Sequence, residues 1–338
     1  MSLNAIVGDP STTTAPAGLR IRPFENTDAD YAALATVGNA VFPEYPDSVE
    51  ELRHGDSTRP DHIKHRRWLA EFANSVVGSA SYTQFVGMYH PQKFSMFVEV
   101  VPEYQGRGIG RALYDTVYTA LAAHDPISLR GNVREDKLRT LRFLQDRGFV
   151  EDRRNWESRL DVAGFDPAPF AGRIEAVLAQ GFTITTLAEL MERDPDHRRK
   201  LYDLDCEATV DEPMPEPFTP PGQAVYDRWV FENPDLRPEG FFIALDDDRY
   251  AGLSSLFGNQ ADPDVLTVGF TGSGRQYRRR GIAFALKLCS IAYAQQVGAR
   301  SIKTWNASTN RAMLSINEAL GFAKQPAWID FLKQIRQE

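Results

Sequence analysis

The chain has little that would tie it to sulfur chemistry, a metal, a membrane or a nucleic acid. Its 338 residues include two cysteines, Cys206 and Cys289, too few for a disulfide framework or a zinc pattern. His62 and His65 have no third ligand in their neighbourhood of the sequence, so surface histidines and no metal site are expected. No apolar run approaches the ~18–20 residues of a membrane span. The N-terminus lacks the basic head and apolar core of a secretory signal, which points to a cytoplasmic protein with reduced thiols. Positive charge is in deficit as well: 38 Lys and Arg stand against 46 Asp and Glu, a net charge of −8. That balance argues against nucleic acid as a partner and is compatible with a cationic amine. What is present is a globular composition, 42% hydrophobic and 25% charged, at a length that suits about two domains.

One motif occurs twice. Gln105-Gly106-Arg107-Gly108-Ile109-Gly110 returns 173 positions later as Arg278-Arg279-Arg280-Gly281-Ile282-Ala283. Each copy follows a strand-like run and opens an apolar helical stretch, and the same offset lays Arg147-Gly148-Phe149 on Leu320-Gly321-Phe322. Small residues at 108 and 110, and at 281 and 283, let backbone approach a ligand closely. Consecutive amides and the following helix N-terminus then favour an anion, with a pyrophosphate a good match. Arg107 and the Arg278–Arg280 run add fixed positive charge. A dinucleotide fingerprint needs different glycine spacing, and a Walker loop needs Gly-Lys-Ser/Thr; neither is present.

The pattern [Gln/Arg]-x-x-Gly-x-[Gly/Ala] resembles the acyl-CoA loop of the GNAT acetyltransferase superfamily. Val100-Val101-Pro102-Glu103-Tyr104 is similar to that family's lead-in, of which the second copy keeps only Tyr277. The resemblance spans about Leu19 to Phe331 and implies a tandem protein, with a two-domain layout similar to that of mycothiol synthase. It further implies acetyl-CoA as cofactor, bound by residues 105–110 and 278–283. Backbone donors for the reacting carbonyl are expected near Val100 in the first domain and near Phe270 and Thr271 in the second. Asn310 and Asn317 resemble the cofactor-facing side of the family's last helix. The first domain has Lys137 and Leu144 there, so turnover is expected in the second. Neither domain has the tyrosine that often protonates the leaving thiolate; Leu144 and Asn317 occupy that place.

The implied fold class is α/β (α+β): two tandem domains, each a mixed, mostly antiparallel sheet flanked by helices. Met1 to Gly18, rich in small residues and proline, reads as a flexible leader. The first domain is expected over 19–163 and the second over 164–338, with Asp161 to Pro169 the linker candidate. In the first domain, strands are predicted at 19–24, at 68–72 and 76–85 paired across Asn74-Ser75, at 94–101 and from Phe149 onward, with helices at 28–42 and 137–146 and a loop region marked by Pro43, Pro46 and residues 57–60. In the second, strands are predicted at 182–187, 241–245, 250–257 and 265–271. A helix over 187–204 should break near Pro195.

Acetyl transfer to an amine needs alignment, a base and oxyanion donors. Glu99, the one acid in an apolar strand beside the first loop, is a candidate base; a salt-bridged rim residue is the alternative. Asp211 and Glu212 sit in a loop that should border an amine pocket, where they either bind the cation or are solvated. Tyr226, Trp229 and Phe231 are core or pocket wall. The implied activity is transfer of an acetyl group to a small-molecule amine by direct attack in a ternary complex. A non-catalytic acyl-CoA-binding or sensing protein is the alternative.

Overall fold

The structure, a computed structural model, describes residues 15–337, so residues 1–14 of the expected leader lie outside the described residues. The chain divides into two compact units. Among the described residues, one comprises 15–133, 137–152 and 330–337, the other 134–136 and 153–329.

The first unit runs β1 (Arg20–Pro23), α1 (Asp28–Val41), α2 (Val49–Ser57), β2 (His65–Phe72), β3 (Ser75–Thr83), β4 (Lys93–Val100), α3 (Ile109–Leu121), β5 (Ser128–Arg134), α4 (Leu138–Gln145) and the start of β6 (Val150–Asp161). Strands β1 to β5 lie in that order. The pairs β1·β2, β2·β3 and β3·β4 are antiparallel, and β4·β5 is parallel. Thr27 opens α1 by accepting from the Asp30 amide, with Asp28 and Asp30 in the first turn, where acids suit the helix dipole. The β2–β3 hairpin turns at Ala73 and Asn74, at φ 51° and 63°, the left-handed pair that a tight twisted hairpin demands. That is one residue earlier than the Asn74-Ser75 turn expected from sequence. Helix α2 was not anticipated, although Ser48 and Glu51 form a reciprocal capping box, a recognisable start signal. Helix α3 buries Ile109, Leu113, Val117 and Leu121, a stripe of helical period that faces the sheet.

The second unit holds most of β6, then α5 (Arg173–Leu178), β7 (Thr183–Thr186), α6 (Leu187–Arg193), α7 (His197–Thr209), α8 (Gln223–Val230), β8 (Phe242–Asp246), β9 (Arg249–Phe257), β10 (Val265–Ser273), α9 (Ile282–Gln296), β11 (Ser301–Ala307), α10 (Arg311–Ala319), β12 (Ala323–Lys324) and the first residues of β13 (Trp328–Gln334). Its strand order is β7-β8-β9-β10-β11-β6, with β12 also on β6 and only β10·β11 parallel. Helices α6 and α7 part around Pro195 as expected.

The units do not divide at 163/164. Residues 155–161 of β6 pair antiparallel with β11, and Leu160 and Val162 enter the core of the second unit. The last residues of β13 belong to the first unit, beside β5. Nor is the stretch 161–169 a free linker. Phe165 packs on that same core and stacks on Phe170, which meets Phe284. Glycine and proline content marks a change of direction, whereas burial of the two aromatics fixes the segment. Among the described residues no helix is long and apolar enough to cross a membrane.

Candidate active site

The two phosphate-type turns share one backbone conformation. Before each lies a short 3-10 turn, Pro102–Tyr104 and Arg275–Tyr277. Gln105 and Arg278 then have φ/ψ of −66°/155° and −64°/155°. Gly106 and Arg279 follow with φ 81° and 62°. Gly108 and Gly281 cap α3 and α9 at φ 85° and 87°. Two left-handed residues in four bend the amides into one concavity. No side chain caps either helix, so the first amides of α3 and α9 have no intrahelical acceptor and suit an anion.

Side chains around the first turn fit a polyphosphate. A Cβ at Gly106 would stand 2.8 Å from Arg139 Nη2, so α4 brings an exposed guanidinium against the turn. Sequence reasoning passed over Arg139, since nothing in its spacing links it to residue 106. Arg107 donates to the Glu103 carbonyl at 3.1 Å and lies over the Tyr104 ring. Gln105 Nε2 donates to the Val100 carbonyl at 2.9 Å, tying the turn to the end of β4. At Gly110 a Cβ would meet only ordinary contacts, which is why Ala283 serves in the second turn.

In the second turn the arginines are more heavily engaged. Asp211 accepts from Arg275 Nε and Nη2 at 2.7 Å each and pairs with Arg278 at 2.7 Å. These hydrogen bonds, Arg275 first, hold its carboxyl well below the usual range. Asp211 therefore braces the loop rather than standing alone for an amine. Arg280 lies over the Phe182 and Tyr277 rings. Glu212 is pushed up by burial and then by Asp205, and Asp205 accepts from Tyr226 and Thr209. Tyr226 thus belongs to the core with a polar anchor, and Trp229 and Phe231 pack partly buried against it.

In each unit the parallel pair separates early. Pairing of β4 with β5 covers Lys93–Ser95, and that of β10 with β11 covers Val265–Thr267. Beyond these points Met96–Val100 and Val268–Ser273 have no register partner on that side. Strand β10 also shifts register against β9 between Val268 and Thr271. The Phe270 amide donates to Ser255 Oγ at 2.9 Å, and Thr271 Oγ1 lies 3.0 Å from Ser254 Oγ. Of the expected backbone donors, the Phe270 amide is thus already hydrogen-bonded within the chain.

The other cofactor candidates of the second unit are similarly occupied. Asn310 caps α10 by accepting from the Met313 amide. Asn317 is 1% exposed and donates to Asn306 Oδ1 at 2.7 Å. Their seven-residue spacing puts them on one side of the helix; each makes one hydrogen bond inside the fold, and Asn317 Oδ1 is buried without a partner. In the first unit Lys137 is the residue before α4 and lies over Phe42.

On the sheet of the first unit, register creates a cavity of about 280 Å³. Side chains alternate faces along a strand. The pairs His65↔Thr83, Arg67↔Ser81, Ser79↔Glu99 and Ser81↔Phe97 therefore present one side of β2, β3 and β4, and all of them line the cavity. Residues of opposite parity face α3, where a Cβ at Gly78 would crowd Leu113. Helix α1 and the segment holding Asp47 close the other wall. Ser79 Oγ donates to Glu99 Oε2 at 3.1 Å. Burial pushes the Glu99 carboxyl up, Ser79 opposes this, Asp47 adds to it and Arg67 opposes it. Burial, with Glu51, also lifts Asp47 to about 6. His65 is lowered to about 4 by burial and by Arg59 and Arg67, so it is neutral near pH 7.

Fold and site together define a two-unit protein with a phosphate-type turn of one backbone conformation in each unit. A profile of the acetyltransferase (GNAT) family matches residues 34–149 and 198–322, and the chain belongs to that family, in its tandem form. Members of this fold family generally bind acyl-CoA. Among solved structures the chain is similar to a tandem GNAT protein from the clavulanic acid biosynthesis pathway. That likeness has a TM-score of 0.72 at 19% identity, covering 95% of this chain and 99% of that one. It is also similar to a GCN5-related N-acetyltransferase from Sphaerobacter thermophilus, with a TM-score of 0.67 at 19% identity over 96% and 98% of the two chains. At these identities the likeness speaks for the fold. Among curated proteins no sequence matches the chain.

Proposed function

We propose that the protein is an acetyl-CoA-dependent N-acetyltransferase of small amines, with turnover in the first unit and Glu99 as general base. The observation that carries this reading is Glu99 itself. It lines a cavity, accepts one hydrogen bond from Ser79, and lies on the strand that runs into the first turn. A carboxyl raised by burial is better matched to taking a proton near neutral pH than a solvated one.

Bound acyl-CoA supplies an acyl group activated as a thioester. The amides of the first turn, Arg107 and Arg139 would hold its phosphates, leaving Glu99 to receive the amine proton. The amine nitrogen forms its bond to the acyl carbon as the carbon–sulfur bond breaks, and CoA departs as the thiolate. Sequence alone favoured the second unit, because of Asn310 and Asn317. Capping of α10 by Asn310 and burial of Asn317 remove that preference. Gly272 stands 173 positions after Glu99, so the second unit has no carboxyl at the equivalent place. That observation supports a second reading for the second unit alone, namely acyl-CoA binding without turnover. The same account makes the working compartment the cytoplasm, and the partner a small amine rather than a nucleic acid or membrane.

A thiol-release assay across a panel of small amines tests the proposal. Turnover should survive Gly281→Val and be lost in Gly108→Val. The reverse pattern would move the chemistry to the second unit. Acyl-CoA binding with no turnover of any amine would leave only the binding reading.

A further inference from the structure

The cavity beside Glu99 is lined by groups of both charges. Arg67 donates to Asp56 at 2.9 Å, and Arg59 donates to the same carboxylate at 2.8 Å. Tyr31 donates to Asp56 as well, at 2.9 Å. Two guanidiniums thus share one carboxylate, and both line the cavity, leaving one unit of positive charge uncompensated by Asp56. The carboxyls of Glu99 and Asp47 line the same cavity, close enough for Asp47 to act on Glu99. Asn39 fixes the Asp47 backbone, accepting from its amide at 2.9 Å and donating to its carbonyl at 3.1 Å. His65 lies among these groups, its Nδ1 buried and without a hydrogen-bond partner. Each unpaired buried polar atom is costly unless something meets it.

We infer that the acetyl acceptor is a small zwitterion, an amino acid or a close analogue. Its carboxylate is held by Arg59 and Arg67, and its amine is presented to Glu99 and Asp47. A planar guanidinium pair is suited to a carboxylate, and a simple amine would leave the Arg59 and Arg67 pair without a second anion. The volume, roughly nine waters at about 30 Å³ each, admits a molecule of amino-acid size and excludes large polycyclic amines. The identification rests on the acceptor-cavity reading given above, yet it is testable without turnover.

Calorimetric titration of the full chain, saturated with CoA, would use β-alanine, 4-aminobutyrate and L-serine, each beside its own carboxamide. At least one amino acid should bind ten-fold or more tightly than its carboxamide. Arg59→Gln should reduce that ratio to within about two-fold, and Arg59→Lys should keep most of it. Circular dichroism melts confirm that each variant is folded. Equal binding of every amino acid and its carboxamide, or a ratio unchanged in Arg59→Gln, would overturn the inference. Glu99→Gln separates the two claims. It should depress thiol release from amino acid and carboxamide alike and leave their binding ratio intact. A preserved ratio with thiol release undiminished would sink the base assignment while sustaining the zwitterion.

Discussion

Lys287 gives the sharpest test of the electrostatics of the second unit. It lies on α9, five residues past the start of the helix, and is 2% exposed. Its Nζ has no hydrogen-bond partner and rests 5.1 Å from the centre of the Phe322 ring. Burial lowers the ammonium from 10.5 to about 7. At 1.36 kcal/mol per decade, that difference corresponds to about 5 kcal/mol of destabilisation where lysine is charged in the unfolded chain. Between pH 7 and 10.5 the unfolded chain binds a proton that the folded chain does not. Stability from this group therefore rises with pH across the window, and the penalty is complete below about 7. Lys287→Met, which keeps length and removes charge, should stabilise the protein most at or below pH 7. Chemical denaturation of both proteins from pH 6.5 to 9.5 should show the gap shrink by about 3 kcal/mol as pH rises. A gap that does not change with pH would show that Lys287 keeps its ordinary affinity for protons and that a polar partner reaches it.

Three further outcomes follow from the geometry. Calorimetry on cofactor-stripped protein should count two CoA sites per chain, and Arg280→Glu should weaken only the second. Arg139→Ala should weaken CoA binding at the first site by roughly 1.5–3 kcal/mol, the worth of a charge-assisted hydrogen bond; an unchanged affinity would remove Arg139 from the phosphate site. Because Glu99 must be ionised to act and its carboxyl is raised, kcat should fall as pH falls through that raised value. The acid limb should lie above the range of a solvated glutamate, and a limb below it would contradict the assignment.

The phosphate turns were legible because everything that shapes them is local. Small residues at 108 and 281 permit the left-handed φ, and the offset of 173 betrays the duplication. Arg279 shows the limit of that reading, since it takes at φ 62° the conformation that Gly106 takes in the first copy. Glu99 was visible as a lone acid in an apolar strand. Its companions were not, because strand register and the fold of α2, rather than sequence distance, bring Asp47, Arg59, His65 and Arg67 to it. Helix α2 itself carried its capping box in plain view, hidden behind Pro43 and Pro46. Asn310 and Asn317 had helical spacing, but spacing cannot tell a ligand-facing amide from one spent on a cap or on Asn306. Strand β6 was legible from Phe149 onward, but its pairing was not, since its partner β11 lies about 145 residues away.

The most direct measurement compares Glu99→Gln with the unaltered protein on one preparation, scoring CoA stoichiometry and thiol release together. Loss of a general base costs on the order of 10²–10⁴ in rate, so turnover should drop by at least about a hundred-fold while two CoA sites remain. Turnover within a few-fold of the original, with CoA binding intact, would contradict the account and return the search for the base to Asp205 and Glu212 of the second unit.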